Sequence, residues 1–163
     1  MNELNANYEH YAVSDLDISS LDKYSAFILS GRRKNDSYMN AANSKIIKYA
    51  FKKTKPLLGI CYGAEILALT LGGTLQKMTS SRQGLYQIEI TNDNPLIHGK
   101  VQVFESHSYM ISKLDSSFKI LASSSQCRFE FFSLENQNVF GTQFHPEMSQ
   151  DGKTMLKNFV FIQ

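Results

Sequence analysis

Two runs of consecutive apolar residues, each followed by a helical pattern, constrain this chain more than any other feature. Ala26-Phe27-Ile28-Leu29 and Leu57-Leu58-Gly59-Ile60 lack polar alternation, so strands built from them need cover on both faces. After the first, Ala42, Ile46, Tyr49 and Ala50 recur at helical spacing within residues 40–52. Lys55-Pro56 ends that helix, because proline has no donor to continue it. After the second run, residues 63–71 (GAEILALTL) are rich in good helix formers and close on Gly72-Gly73. Strand, helix, strand, helix with buried strands implies an α/β fold: a parallel sheet with helices on both faces.

The second half changes character. Short β-prone runs at 86–91, 101–104, 119–122, 129–134 and 139–144 are separated by turn clusters such as Asn92-Asp93-Asn94-Pro95. They predict a smaller antiparallel or mixed portion, followed by a helix over 153–161 that carries Met155, Leu156, Phe159 and Val160. At 163 residues the chain reads as one domain over 1–163, large enough to bury a core without disulfides or a structural metal. A net charge of +2 without a basic stripe excludes nucleic acid as an expected partner. No apolar run reaches the ~18 residues of a membrane span and the start has no signal-peptide core, so the expected location is cytoplasmic, away from membranes. Cys61 and Cys127 are too few and too far apart for a disulfide framework or a CxxC metal site.

The chemistry concentrates in Gly59-Ile60-Cys61-Tyr62-Gly63, a G-x-C-x-G at a strand-to-helix turn, the cysteine form of a nucleophile elbow. The glycines relieve crowding where the two backbones meet. The helix N-terminus is expected to lower the thiol pKa of Cys61. A buried structural cysteine is the plainer alternative. Far along the chain, Phe144-His145-Pro146-Glu147 follows a strand. Proline keeps the backbone extended, so His145 can face the cysteine while Glu147 curls back to the imidazole. His145 would then take the thiol proton, and Glu147 would fix its tautomer. A structural histidine at a strand end remains the alternative.

Together these two motifs resemble class I glutamine amidotransferases, whose elbow and HPE motif supply a Cys-His-Glu triad. Leu71-Gly72-Gly73, Ser106-His107-Ser108 and Asn158-Phe159 fall in family order, so the resemblance covers most of the chain. Within the family, tyrosine after the cysteine and Gly84 ahead of the strand at 87–90 look most like the glutaminase part of GMP synthase. The resemblance implies a flavodoxin-like sheet and hydrolysis of glutamine to glutamate and ammonia through Cys61, His145 and Glu147. The ammonia would go to an ATP-dependent synthase partner. Main-chain N–H groups of Tyr62 and near Gly31 would hold the oxyanion, Ser108 and Tyr109 the substrate's α-carboxylate and amine, and Glu65 would line the pocket. No cofactor and no metal are implied, and His10 and His98 have no convergent ligands. A stand-alone γ-glutamyl hydrolase and a catalytically weak binding or regulatory module are the competing functions.

Three departures from the family pattern bear on activity. Ser30-Gly31-Arg32-Arg33-Lys34 replaces a Gly-Gly-Pro loop; either Arg32 supplies the second oxyanion donor, or the cluster is a solvated basic loop. Glu65 stands where the family commonly has glutamine, one helical turn beyond Cys61; it would pair with the substrate ammonium but raise the thiol pKa. The usual first strand and helix look missing, with residues 7–13 resembling the family's second strand. Of the other candidates, Cys127 reads as a bystander. His107 is either a residue supporting the pocket or a hydrogen-bonded loop histidine.

Overall fold

The computed structural model describes residues 6–12, 15–31 and 36–162. In chain order these form β1 (Phe27–Leu29), α1 (Ser37–Lys52), β2 (Leu57–Ile60), α2 (Tyr62–Thr70), β3 (Thr74–Ile90) and β4 (Gly99–Lys113). β5 (Phe118–Ala122), β6 (Phe131–Leu134), β7 (Val139–Thr142) and α3 (Gln150–Val160) follow. One seven-stranded sheet has the order β1-β2-β7-β6-β5-β3-β4. β1, β2 and β7 are parallel, and every pairing from β7 to β4 is antiparallel.

Side-chain alternation in the central strands feeds two cores, one on each face. Leu57, Phe132 and Val139 pack with α1 and α2 residues such as Ile47 and Leu67. Their neighbours Leu58, Phe131 and Phe140 pack on the other face with Met155, Leu156 and Phe159 of α3. Leu57 and Leu58 are both fully buried, each contributing about 1.5–3 kcal/mol through apolar burial. Helices α1 and α3 begin where side chains can satisfy their first N–H groups. Asp36 accepts from Tyr38 and Met39, starting α1 a turn earlier than its apolar spacing implies. Ser149 does the same for α3, accepting from Gly152. Gly72, at φ +88°, ends α2 as expected.

Two expectations fail. Residues 7–12 form no strand, and within 15–24 the regular element is a short 3-10 helix, Ile18–Lys23. Tyr8 and Tyr11 are exposed, and Glu9 gathers Tyr11, Tyr24 and Lys23 on the surface, so side-chain contacts order this stretch. Val13 lies outside the described residues. The runs at 86–91 and 101–104 are only parts of a long hairpin, β3 and β4, paired from Thr74↔Lys113 to Ile90↔Gly99 with a register shift between Lys77 and Arg82. Its polar half carries no apolar signal because much of it is exposed.

Candidate active site

Cys61 joins β2 to α2 with φ 49° and ψ −104°, a conformation that costs a non-glycine residue about 1–3 kcal/mol. Its N–H donates to the Thr142 carbonyl at 2.7 Å and its carbonyl accepts from Glu65 N–H at 3.0 Å, so strand and helix clamp it from both sides. The two glycines are required by space. A Cβ on Gly63 would stand 2.1 Å from the Leu29 carbonyl oxygen, and one on Gly59 would stand 2.7 Å from the Ala64 nitrogen.

His145 reaches the same place from the end of β7. Gln143 N–H donates to the Glu130 carbonyl at 2.8 Å, and His145 N–H to the Phe104 carbonyl at 2.7 Å. His145 itself is extended, at φ −98° and ψ 94°, as a residue before proline should be. The 3-10 turn Pro146–Met148 then brings Glu147 Oε1 to 2.8 Å from His145 Nδ1. A Cβ on Gly31 would lie 2.8 Å from His145 Cε1 and 3.6 Å from Cys61 Cβ. Gly31 therefore lies against both side chains, and three distant segments converge. With Nδ1 held by Glu147, Nε2 is the nitrogen that can take a thiol proton.

The electrostatics correct one expectation. The Cys61 thiol is pushed up to about 12, first by burial and next by the charge of Glu65. The Tyr62 N–H, hydrogen-bonded to the sulfur, lowers it but is outweighed, and Glu105 and Glu147 add smaller upward contributions. The helix N-terminus thus does not make a resting thiolate. Cys61 is 7% exposed and its sulfur rests as a thiol, so nucleophile formation requires a base at the moment of attack. Glu65 lies on the Cys61 side of α2, as its one-turn spacing predicts. It is 9% exposed, and Gln143 Nε2 donates to its Oε1 at 3.3 Å.

The remaining candidates separate. Ser108 and Tyr109 are exposed on β4, and Tyr109 presents its carbonyl to His107. Arg32 lies outside the described residues. Cys127 is fully buried under the Ser124 turn, with burial as the main cause that raises its thiol pKa. His98 is exposed beside Asp93. His107 sits in a strand, not a loop, and is part of a buried cluster with Arg82, Glu105 and Glu130 that sequence reading missed. Glu105, His107 and Glu130 are close enough to ligate a metal ion, but the Arg82 guanidinium already supplies a cation there, 2.6 Å from Glu130. The missed signal was alternation: Val101, Val103, Glu105 and His107 share the buried face of β4.

Comparison with known proteins decides the family. The model of glutamine amidotransferase class-I matches residues 2–163. The chain belongs to this family. Among curated proteins it is 34% identical over 131 residues to GMP synthase [glutamine-hydrolyzing] of Clostridium novyi, covering 77% of this chain and 26% of that protein. It is 31% identical over 149 residues to the enzyme of that name from Escherichia coli O127:H6, covering 83% and 28%. The amidotransferase thus spans about a quarter of the length of these relatives. A crystal structure assigned as a GMP synthase subunit from Thermoplasma acidophilum superposes with a TM-score of 0.79 at 29% identity, covering 90% of this chain and 76% of that one. A glutamine amidotransferase of Thermotoga maritima gives 0.72 at 25% identity, covering 84% and 61%. No helix among the described residues is long and apolar enough to cross a membrane.

Proposed function

We propose that residues 1–163 form one glutaminase domain of a GMP synthase-like system, with Cys61, His145 and Glu147 as its triad. The observation that carries this reading is the convergence at Gly31: a strained elbow cysteine and a carboxylate-bound histidine packed against one glycine. Sγ of Cys61 attacks the side-chain amide carbon of glutamine while His145 Nε2 takes the thiol proton. The N–H groups of Tyr62 and Gly31 hold the oxyanion, each such donor contributing about 10²–10³ in rate. As the tetrahedral species collapses, the proton passes to the amide nitrogen and ammonia leaves, giving a γ-glutamyl thioester. Water attacks that thioester, its proton passes through His145 back to sulfur, and glutamate departs. Ser108 and Tyr109 face the α-amino acid end of the substrate, and ammonia goes to an ATP-using synthase partner.

Ammonia release from glutamine, assayed with and without a synthase partner, tests this. Release that depends on Cys61 and rises with the partner is expected; release without any partner dependence favours a stand-alone γ-glutamyl hydrolase. A catalytically weak binding module has one specific observation in its favour, the Glu65 carboxylate that holds the Cys61 proton more tightly. It predicts no Cys61-dependent ammonia under either condition.

A further inference from the structure

The long hairpin of β3 and β4 is tied to the rest of the sheet by few main-chain bonds near the site. β3 meets β5 at the single pair Ile90↔Ala122, and β4 meets the His145 segment at the single bridge Phe104↔His145. Between these points a chain of buried side chains spans three segments. Tyr109 carbonyl accepts from His107 Nδ1 at 2.8 Å, and His107 Nε2 lies 2.8 Å from Glu105 Oε2. Glu105 Oε1 lies 3.8 Å from one Arg82 nitrogen, and another Arg82 nitrogen donates to Glu130 Oε1 at 2.6 Å. Ser124 Oγ donates to the same Glu130 oxygen at 2.6 Å.

Two residues of this chain stand directly behind the catalytic histidine. Glu130 supplies the carbonyl that receives Gln143 N–H, and Glu105 follows Phe104, whose carbonyl receives His145 N–H. The segment 143–145 therefore hangs between two carbonyls whose positions depend on where the Glu130 and Glu105 carboxylates settle. Arg82 bridges those carboxylates.

We propose that Arg82, through Glu130 and Glu105, is a positioning residue for His145. This rests on the glutaminase reading for its role in turnover, not for its geometry. The charges balance in a defined way. A carbonyl can only accept, so His107 Nδ1 carries a proton and the contact from Nε2 to Glu105 needs a second one. With that proton in place, Arg82 and its two carboxylates are electrically matched. Without Arg82, one buried carboxylate has no counter-charge. Glu130 then turns from the cluster or takes up a proton, and its carbonyl shifts with it.

The test is Arg82→Met alone and with Glu130→Gln, which removes the unmatched carboxylate but keeps an acceptor for Ser124. Both are assayed well below their melting temperatures, beside the unchanged enzyme. Arg82→Met is expected to lower kcat for glutamine hydrolysis about 10²-fold, the scale of an ångström's misplacement, with KM within about threefold. The double variant should recover at least about tenfold of that loss. A lowered melting temperature with unchanged kcat per folded molecule would make Arg82 a stabilising residue only and overturn the proposal. So would a double variant no better than the single one. Should Arg82→Met not fold, Arg82→Lys, which keeps the charge but not the fork, is read in its place, with about a tenfold loss expected.

Alkylation of Cys61 by iodoacetamide, followed in parallel, needs no glutamine turnover. Slower alkylation in the single variant that recovers in the double, in a protein that hydrolyses no glutamine, supports the positioning and rejects the glutaminase reading. Equal alkylation in all three proteins rejects the positioning, whatever the turnover.

Discussion

Among the described residues, two histidine–glutamate pairs share the same sequence separation and the same 2.8 Å length in opposite surroundings. His145 is 15% exposed and Glu147 46%, with Glu147 on Nδ1. His107 is 2% exposed and Glu105 0%, with Glu105 on Nε2 and the Tyr109 carbonyl on Nδ1. Both nitrogens of His107 are engaged, so it has no atom left for proton transfer. Among the described residues His145 has its partner on Nδ1, which leaves Nε2 for the proton transfer proposed above. A buried, doubly bonded pair holds a strand in place, whereas a partly wet, singly bonded pair can cycle a proton. Counting the partners of each nitrogen separates the two roles where sequence spacing does not.

The largest expected effects fall on the wet pair and its thiol. Cys61→Ala should abolish glutamine hydrolysis and labelling by a glutamine-like chloroketone, a loss of at least about 10⁴-fold, while Cys127→Ala retains both. Labelling at Cys127 would reverse the assignment. His145→Ala should cost nearly as much, because triad members act as a unit. Glu147→Gln should cost less, about 10- to 100-fold in kcat, since a half-exposed carboxylate is screened and mainly orients the ring. Near-normal rates in both would remove the triad and with it the contrast between the pairs.

The buried pair should declare itself in stability against pH. Burial, then the charge of Glu105, raises the Glu130 carboxyl from 4.5 to about 7. At His107 burial opposes the charge, but the hydrogen bond and charge of Glu105 outweigh it and raise its pKa. Both groups hold protons more tightly folded than unfolded. Their stabilisation is complete below the unfolded values and fades as pH rises, for Glu130 between 4.5 and about 7. Thermal melts of Glu130→Gln should therefore lose part of the decline in melting temperature, about 3–6 °C, that the unchanged protein shows from about pH 5 to about pH 8. Parallel curves for the two proteins would mean that Glu130 does not hold that proton.

The smallest effect concerns Glu65, a buried carboxylate whose charge acts on the Cys61 thiol. Glu65→Gln removes the second cause of the raised Cys61 pKa, so alkylation of Cys61 at a fixed pH should quicken about threefold. A change in KM without a change in alkylation would instead assign Glu65 to the substrate ammonium.

Much of the site was legible because its demands are local. Gly59, Cys61 and Gly63 declare an elbow through crowding, and Pro146 keeps His145 extended. The parallel core was legible for the same reason, since Leu57–Ile60 needs burial on both faces. The hairpin was not. Residues 74–85 are mostly exposed and polar, so their pairing with β4 is set across the chain. Glu105 and His107 lie beyond the run that reads as a strand at 101–104, and His107 reads as a pocket or loop histidine, because their partners, Arg82 and Glu130, are distant in sequence. The Glu65 share of the raised Cys61 thiol pKa was legible from its one-turn spacing, but the larger share was not, because burial depends on how Gly31, β7 and α2 close around the sulfur.

Trapping the acyl-enzyme tests the central claim most directly. Protein mixed with glutamine, quenched in acid during turnover and digested, should carry an adduct of the mass of glutamine less ammonia on the Cys61 peptide. It should be absent from Cys61→Ala. Ammonia release from glutamine that persists in Cys61→Ala, or an adduct on Cys127 instead, would contradict it.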